Sequence, residues 1–540
     1  MKTLITTLNS KFIHTSLSLR LLYVSTYKDF DIDFKEYTIK DSLEHIVLDI
    51  LSMEIDVLAL SCYIWNIEYI QKLCEMIKKE KPEMMIILGG PEVTYEPQYF
   101  LDSTYADYII SGEGERVFPQ LLKTIENHQN ADIPGVSYHD HISSIIATVD
   151  LAYVESLDSP YMLPQDRDNM SKRILYFESS RGCPFQCQYC LSSLEKGLRF
   201  FSKDYLLKQL DMICHSDIRT VKFLDRSFNA DADHAIMILD YIFKNYQPGQ
   251  QFQFEINADV LNQKIIDFIK DNAPKDLLRF EIGIQSTYEP TNKAVKRIQN
   301  FDRLSEVVQQ LMEDGKCDLH LDLIAGLPYE TYERFKKSFD DVFAFHAKEL
   351  QLGFLKLLRG TSLREDALVY GYHYQKEPPY EMIENKWLTQ KDVIKIHMAE
   401  DMLEKYWNSG RFVRTMNAVM SQVQSPFDFF YQFAYFHHQH HYKKIGYQLD
   451  ELFMYLDSYL GEEYHDLLIW DYLSLFKVKP KRWYHPTLTA QQRKDVIRYL
   501  VDEYHLSQEM LFRYAIVERI SQGYLVVIYK DFQCKMEIYK

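Results

Sequence analysis

Short apolar runs alternate with amphipathic segments along the first 150 residues. Helical patterns lie near Ser16–Thr26 and Ile67–Lys79. Four strand-like runs are apolar at nearly every position: Thr3–Thr7, Val57–Ser61, Met84–Leu88 and Tyr108–Ser111. Continuous apolar strands separated by helices are typical of a parallel sheet that is buried on both faces. The pattern predicts an α/β domain with a doubly wound parallel sheet over residues 1–150.

The same alternation resumes after residues 151–172, a segment of breakers and charges that we interpret as a linker. Six further strands are predicted, at 173–179, 219–225, 252–257, 278–285, 318–324 and 350–357. We expect a partial (β/α)6 barrel over residues 173–365, open rather than closed at eight strands, with its ligands at the carboxyl ends of the strands. From 366 to 540 long helical patterns crowded with aromatic residues predict a mainly α-helical domain, with an amphipathic helix at Gln390–Trp407 and a late strand at Gly523–Tyr529.

Composition narrows the class of protein. With 540 residues, 40 of them Tyr and 32 Phe, the chain is long enough for several folded domains. Its net charge of -17 disfavours a nucleic-acid partner. No stretch approaches the roughly 18 apolar residues of a membrane span. Eight scattered cysteines and no signal peptide lead us to expect a cytoplasmic protein without a membrane partner.

Three cysteines follow the first predicted barrel strand in a C-x3-C-x2-C row: Cys183, Cys187 and Cys190. Such closely spaced thiolates indicate a metal centre. A four-iron cluster normally takes four thiolates, so a row of three leaves one iron open for catalysis. The alternative is a zinc site, which would need a fourth ligand, and the next candidates, Cys214 and His215, lie beyond a helical pattern.

Polar residues also stand at the ends of the later barrel strands: Glu255, Gln285, Ser286 and Asp322. Polar groups on otherwise apolar strands are costly in a core and useful around a ligand. The alternative is that Glu255 and Asp322 form salt bridges inside the barrel, and that Arg297 is a solvated helix residue.

The strand ends of the first domain carry small and polar residues: His14, Ser61, Gly89, Gly90, Gly112 and Gly114. Ligands of doubly wound sheets bind beyond the carboxyl ends of the strands, and glycines there let the backbone approach a large cofactor. A dinucleotide or a flavin is the competing ligand, but no G-x-G-x-x-G follows the first strand.

The cysteine row, with Tyr189 just before its last member, resembles the radical S-adenosylmethionine (SAM) superfamily. The resemblance implies a [4Fe-4S] cluster held by the three cysteines, SAM chelated at the free iron, and reductive cleavage of SAM to a 5′-deoxyadenosyl radical. The barrel motifs are similar to those of enzymes related to oxygen-independent coproporphyrinogen oxidase. That similarity assigns these residues to the SAM pocket: Tyr189, Glu255, Gln285, Ser286, Arg297 and Asp322.

The first domain resembles the cobalamin-binding domain that precedes many radical SAM barrels. Ser61 and the Gly89-Gly90 pair match that family, and the resemblance adds His14, Gly112 and Gly114 to the cobalamin site. The first loop departs from the family motif because it lacks the Asp before and the Gly after the histidine. His14 is therefore a cobalt ligand, a hydrogen-bonding loop residue or the cap of the following helix.

Together these resemblances imply a cobalamin-dependent radical SAM enzyme that methylates an unactivated carbon of a small-molecule or peptide substrate, with a flavodoxin- or ferredoxin-type reductant. A cyclase or rearrangement enzyme of the same architecture is the alternative. A tRNA methylthiotransferase would need a different cysteine-bearing first domain, and only Cys62 and Cys74 stand there. A non-catalytic iron–sulfur redox protein is the hypothesis from another class. No residue is assigned to the substrate step itself.

Overall fold

The computed structural model describes residues 1–540 except Arg167, Lys196, Asp314, 476–482, 484–486, 531 and 532. The chain folds into two compact units, one of residues 1–331 with 353–389 and the other of residues 332–352 with 390–540. No helix among the described residues combines the length and the apolar character that crossing a membrane requires.

The first unit opens with a six-stranded sheet. Its strands are β1 Lys2–Asn9, β2 Asp31–Thr38, β3 Val57–Ser61, β4 Met85–Gly89, β5 Tyr108–Ile110 and β6 Val136–Ser137. The spatial order is β2-β1-β3-β4-β5-β6. The first five strands pair in parallel, and β6 runs antiparallel to β5.

Apolar side chains cover both faces of this sheet. On β3, Leu58 and Leu60 belong to one buried cluster while Val57 and Ala59 belong to the other. Successive strand residues point to opposite faces, so the two clusters lie on opposite sides of the sheet. The helices of this region are α1 Leu17–Val24, α2 Leu43–Ser52, α3 Ile67–Glu80, α4 Pro97–Thr104, α5 Val117–Glu126 and α6 Leu151–Ser156. The predicted doubly wound sheet is confirmed.

A second sheet follows. Its strands are β7 Ile174–Phe177, β10 Thr220–Phe223, β11 Gln251–Ile256, β12 Leu278–Gln285, β13 Cys317–Ala325 and β14 Glu349–Phe354. An antiparallel hairpin of β8 Ser180–Cys183 and β9 Gly197–Phe200 interrupts the series after β7. The helices are α7 Lys203–Cys214, α8 Ala232–Asn245, α9 Gln263–Asn272, α10 Glu289–Ala294, α11 Phe301–Glu313 and α12 Tyr332–Phe343.

The spatial order of the six strands equals their order in the chain, from β7 at one edge to β14 at the other. Adjacent strands from β7 to β13 pair in parallel. A sheet that runs from β7 at one edge to β14 at the other without closing on itself, with one helix after most strands, is the expected open barrel, so this prediction is confirmed. The hairpin β8/β9 was not predicted.

Residues 353–389 add short elements to the first unit. They are α13 Ser362–Glu365, α14 Ala367–Tyr370, β15 His373–Tyr374 and β16 Met382–Glu384. The two strands pair antiparallel.

The second unit is mainly helical, as predicted. Its later helices are α15 Gln390–Met402, α16 Val413–Met420, α17 Pro426–Gln439, α18 Leu449–Leu460, α19 His465–Leu475, α20 Ala490–Tyr504 and α21 Gln508–Tyr514. A π-helical turn, Leu403–Asn408, continues α15. The chain ends in an antiparallel sheet of β17 Ala515–Ile520, β18 Gly523–Lys530 and β19 Gln533–Tyr539. Only β18 was predicted, because its run is apolar throughout while its neighbours mix polar residues with apolar ones.

Candidate functional site

The three cysteines of the C-x3-C-x2-C row lie in the loop that begins at β8. Cys183 is the last residue of β8, and the backbone N–H of Cys190 donates to the carbonyl of Cys187 at 3.1 Å. None of the three is in a disulfide. Burial raises the pKa of the Cys183 thiol, and the nearby Cys190 and Cys187 raise it further. The sulfurs are therefore close enough to influence one another electrostatically.

A single metal ion is not what this loop fits. Among the residues that the structure describes, no three His, Cys, Asp or Glu side chains are arranged to hold one ion. A four-iron cluster binds each thiolate to a different iron, so its ligands do not need to meet at one point. Three free, neighbouring thiols on a short loop have the chemistry that such a cluster requires.

Asp225 anchors the start of this loop to the end of β10. Its carboxylate accepts hydrogen bonds from the Ser179 backbone N–H at 2.9 Å and from the hydroxyls of Ser179 and Ser180 at 2.6 Å each. The side chain is almost fully buried, and burial raises the pKa of Asp225. Gly182 then adopts φ +91°, where a Cβ would stand 2.1 Å from the carbonyl oxygen of Gly197. The hairpin β8/β9 thus depends on glycine directly before Cys183.

Arg297 connects the cysteine row with the end of β12. Its guanidinium lies 3.9 Å from the Cys187 sulfur and 3.4 Å from the Tyr189 hydroxyl, and it donates to the carbonyl of Gly283. Burial raises the pKa of Tyr189. The cation is thus placed beside the Cys187 sulfur rather than in solvent, unlike the alternative that the sequence left open.

The carboxylates of Glu255 and Asp322 each have a basic side chain nearby. Glu255 lies 3.7 Å from Arg226, and the Asp322 carboxylate lies 3.0 Å from the His320 ring. Burial raises the pKa of both Glu255 and Asp322. The nearby Glu281 and Asp322 carboxylates raise the pKa of Glu255 further.

Two residues of the Gly-x-Gln-Ser turn differ in their surroundings. Gln285 has φ +67°, and its buried Oε1 has no hydrogen-bond partner among the described residues. A buried amide oxygen without a partner is costly, and a bound ligand would relieve that cost. Ser286, in contrast, is fully buried and donates to Glu330 at 2.6 Å.

A cavity of about 790 Å³ opens at the carboxyl edge of the first sheet. All six residues that the sequence assigned to cobalamin line it: His14, Ser61, Gly89, Gly90, Gly112 and Gly114. Residues from the start of the second sheet line the same space, among them Glu178, Arg181, Leu191 and Arg226. The carboxyl edge of the first sheet and the loop that carries the cysteines therefore share one cavity.

The structure gives the cavity glycines a different reason from the one inferred from sequence. A Cβ at Gly90, which has φ +106°, would stand 2.6 Å from the Cys62 carbonyl oxygen. A Cβ at Gly112, with φ +98°, would stand 2.3 Å from the Ala147 carbonyl oxygen. Both glycines are required by close approach of the protein's own backbone, and the tight turns that they form shape the cavity edge.

His14 contacts the second sheet. Its Nδ1 lies 2.7 Å from the Tyr176 hydroxyl, and its backbone bridges to Ile174 at the start of β7. Burial lowers the pKa of His14, and the nearby Lys11, Lys222 and Arg173 lower it further. The cap of α1 is Ser16, not His14, because the Ser16 hydroxyl accepts from the Leu19 backbone N–H.

Sequence reasoning missed a network of ion pairs at the cavity wall. Arg181 lies 2.7 Å from Glu178 and 2.7 Å from Glu115, and 3.4 Å from Glu113. Arg199 on β9 pairs with Glu113 at 2.5 Å. The sequence indicates this network only through the position of two glutamates beside the glycines of the loop. Glu113 lies between Gly112 and Gly114, and Glu115 follows Gly114.

A second connection lies at Arg359, in the turn after β14. Its guanidinium pairs with Glu92 at 3.5 Å and with Glu96, both on the loop after β4. The Tyr380 hydroxyl donates to Glu92 at 2.5 Å, and the Arg359 Nε–H donates to the Tyr380 oxygen at 3.0 Å. Leu358, in the same turn, lies in the cavity wall.

Three family models match successive parts of the chain. They are the B12 binding domain over residues 3–122, the radical SAM superfamily over residues 177–342, and the protein family of unknown function DUF4080 over residues 369–538. The chain therefore contains a region that matches the B12 binding domain ahead of a region that matches the radical SAM superfamily. A region that matches DUF4080 follows them. Both resemblances inferred from the sequence are confirmed at this level.

Among curated proteins, the chain is 28% identical over 310 residues to the cobalamin-dependent radical SAM methyltransferase TokK of Streptomyces tokunonensis. It is 27% identical over 304 residues to the 2-(S-pantetheinyl)-carbapenam-3-carboxylate methyltransferase of Streptantibioticus cattleyicolor. The matches cover 53% and 52% of this chain but only 44% of each relative. The chain thus spans less than half the length of these relatives.

Solved structures agree on the fold. The cobalamin-dependent SAM radical enzyme OxsB, with aqua-cobalamin and SAM bound, superposes with a TM-score of 0.59 at 14% identity, covering 88% of this chain and 75% of that one. The radical SAM methyltransferase TsrM of Kitasatospora setae, with cobalamin and a [4Fe-4S] cluster bound, gives a TM-score of 0.58 at 13% identity, covering 70% of this chain and 79% of that one.

Proposed function

We propose that this protein is a cobalamin-dependent radical SAM enzyme that methylates an unactivated carbon of a small-molecule or peptide substrate. The observation that carries the proposal is the shared cavity. It is bounded by His14, Ser61 and the four glycines on one side and by the residues around the cysteine loop on the other. A methyl donor on the first sheet and a radical generator on the second would then face the same substrate.

The residues divide into three sets. We assign Cys183, Cys187 and Cys190 to a [4Fe-4S] cluster. We assign Tyr189, Glu255, Gln285, Ser286, Arg297 and Asp322 to SAM, and His14, Ser61, Gly89, Gly90, Gly112 and Gly114 to cobalamin. When bound, the cluster and SAM supply hydrogen-atom abstraction, and the corrin supplies the methyl group.

The protein's own contribution is placement and exclusion of water. Arg297 holds a positive charge beside the Cys187 sulfur and the Tyr189 hydroxyl. The buried amide oxygen of Gln285 and the carboxylates of Glu255 and Asp322 offer acceptors to the hydroxyls and amino groups of SAM. The apolar wall contributed by Leu60, Leu88 and Ile110 separates the reacting groups from solvent.

We further propose domain boundaries at 1–150, 151–172, 173–365 and 366–540, a cytoplasmic location, and a flavodoxin- or ferredoxin-type electron donor. The relatives named above as methyltransferases support methyl transfer over cyclisation or rearrangement.

The test uses the full chain purified without oxygen in the presence of iron, sulfide and hydroxocobalamin. With dithionite and SAM, the wild type is expected to release 5′-deoxyadenosine, to hold about four irons per chain and to show the optical spectrum of bound corrin. Cys187→Ala should lose the cluster iron and the 5′-deoxyadenosine. Cys214→Ala is the matched control, because Cys214 is a buried cysteine on α7 outside the row.

Two results would overturn the proposal. Zinc in place of iron, or iron unchanged in Cys187→Ala, would remove the radical SAM assignment. A wild type that holds iron but no corrin would remove the cobalamin assignment. Once a substrate is found, formation of S-adenosylhomocysteine together with 5′-deoxyadenosine distinguishes methyl transfer from cyclisation or rearrangement.

A further inference from the structure

The cavity wall contains one arginine that contacts both sides of the proposed site. Arg181 lies on β8, two residues before Cys183, and its side chain is only 10% exposed. Its guanidinium donates from Nη2 to Glu178 and to Glu115, each at 2.7 Å, and from Nε to Glu178 at 3.1 Å. Glu178 belongs to the cysteine loop, and Glu115 to the loop of Gly112 and Gly114.

We propose that Arg181 is a positioning residue that couples cobalamin binding in the cavity to the geometry of the cysteine loop, and hence to the affinity for SAM. The inference rests on the proposed function, since it takes both cofactors to bind where that proposal places them. The inference adds that SAM binding and cobalamin binding depend on each other.

The balance of charge explains why the two loops are expected to move together. Three carboxylates meet here, those of Glu113, Glu115 and Glu178, with side chains 13%, 7% and 13% exposed. Two guanidiniums, Arg181 and Arg199, offset two of these three negative charges. Because there are more carboxylates than cations, Arg181 cannot move with one loop and away from the other without leaving a buried carboxylate unpaired. An unpaired buried charge is strongly unfavourable.

A short backbone path connects Arg181 to the first cysteine. Only Gly182 separates Arg181 from Cys183, and this glycine is packed so closely that a Cβ would stand 2.1 Å from the Gly197 carbonyl oxygen. Asp225 fixes the preceding residues through three hydrogen bonds. A tightly held hairpin passes a displacement of the Arg181 side chain to Cys183 rather than absorbing it.

The consequence is reciprocal coupling. A corrin that orders the loop of Gly112 to Glu115 also orders Arg181 and Cys183, so the cluster is better placed to chelate SAM. By linkage, SAM must strengthen cobalamin binding by the same factor.

The experiment measures this factor directly. The full chain is reconstituted with its cluster, with and without hydroxocobalamin, and SAM binding is measured by isothermal titration calorimetry without a reductant, so that bound SAM is not cleaved. We expect cobalamin to tighten SAM binding at least about fivefold in the wild type. In Arg181→Lys and in Glu115→Gln the factor should fall to about one, at unchanged iron and corrin content, because a lysine lacks the forked geometry that reaches both loops.

Arg498→Gln serves as the control, since its side chain is 75% exposed, and it should keep the wild-type factor. A wild type that binds both cofactors but shows a factor of one would overturn the coupling and leave the proposed function intact. If cobalamin tightens SAM binding in both Arg181→Lys and Glu115→Gln by the same factor as in the wild type, the coupling is overturned in the same way. If Arg181→Lys loses its cluster, the factor measured in Glu115→Gln decides whether the coupling exists, because this variant keeps Arg181 and two of the three carboxylates. A wild type that binds no corrin would overturn the proposed function, and the coupling with it.

Discussion

Asp225 shows how one buried carboxylate holds the cysteine loop. Replacing it by alanine leaves three donors, the Ser179 N–H and the hydroxyls of Ser179 and Ser180, without their acceptor. Each unsatisfied buried donor costs about 1–3 kcal/mol. We expect Asp225→Ala to lower the free energy of unfolding by at least about 3 kcal/mol and to reduce iron content after reconstitution, both measured against Asp233→Ala, which removes an exposed carboxylate. Unchanged iron would contradict this role of Asp225.

Candidate site residues that lie close together in the sequence could be predicted. Residues whose role depends on a contact between distant parts of the chain could not. The cysteine row is visible because Cys183, Cys187 and Cys190 lie within eight positions of one another. Arg181 and Glu115, in contrast, are separated by 66 positions. A single sequence gives no reason to pair that arginine with that glutamate, because the contact exists only once two sheets have packed.

At the scale of elements, the bounds of continuous apolar runs were predicted almost to the residue, whereas some strands of mixed pattern were missed. The strand predicted at Val57–Ser61 is β3, which has the same bounds. The edge strand β2 was missed because its residues alternate between buried and exposed, as expected for a strand with less cover. The hairpin β8/β9 was also missed, since it carries Gly182 and Gly197 and reads as a turn.

The helix α15 carries a carboxylate whose charge opposes folding. Burial raises the pKa of Glu400 to about 7, with Glu404 and Asp401 adding to the shift. Because the folded state keeps this proton to a higher pH than the unfolded state does, the stabilisation is complete below about pH 4.5 and is lost as the pH rises through about 7.

Glu400→Gln should therefore remove a pH dependence rather than a contact. At pH 8 the glutamine variant is expected to melt above the wild type, whereas at pH 5 the two should melt at similar temperatures, as followed by circular dichroism. Glu463→Gln, on an exposed residue, should show no such difference between the two pH values. Equal melting temperatures of wild type and Glu400→Gln at pH 8 would contradict the assignment.

At the scale of the first unit, function depends on holding the carboxyl edge of one sheet against the cysteine loop of the next. Arg181 contributes to this contact through Glu113 and Glu115, Arg199 also pairs with Glu113, and Arg359 connects the turn after β14 with Glu92 and Glu96. Charge pairs of this kind are directional, so they fix register as well as distance. We therefore expect these ion pairs to help maintain the shape of the cavity.

Arg359 allows this argument to be tested with a double-mutant cycle. Its side chain is 7% exposed and that of Glu92 is 5% exposed. Arg359→Met leaves the Glu92 carboxylate buried beside Tyr380 without a cation, and breaking a buried pair in this way costs about 3–5 kcal/mol. Adding Glu92→Gln removes the stranded charge, so the double variant should be more stable than Arg359→Met alone. Urea unfolding followed by the fluorescence of Trp65 and Trp387 in the first unit measures the difference.

Strictly additive effects of the two substitutions would show that the pair does not hold the two sheets together, and corrin retention should then be equal in all three variants. If the pair does hold them, corrin retention should be lost in Arg359→Met and recover only partly in the double variant, because the neutral pair restores stability without restoring register.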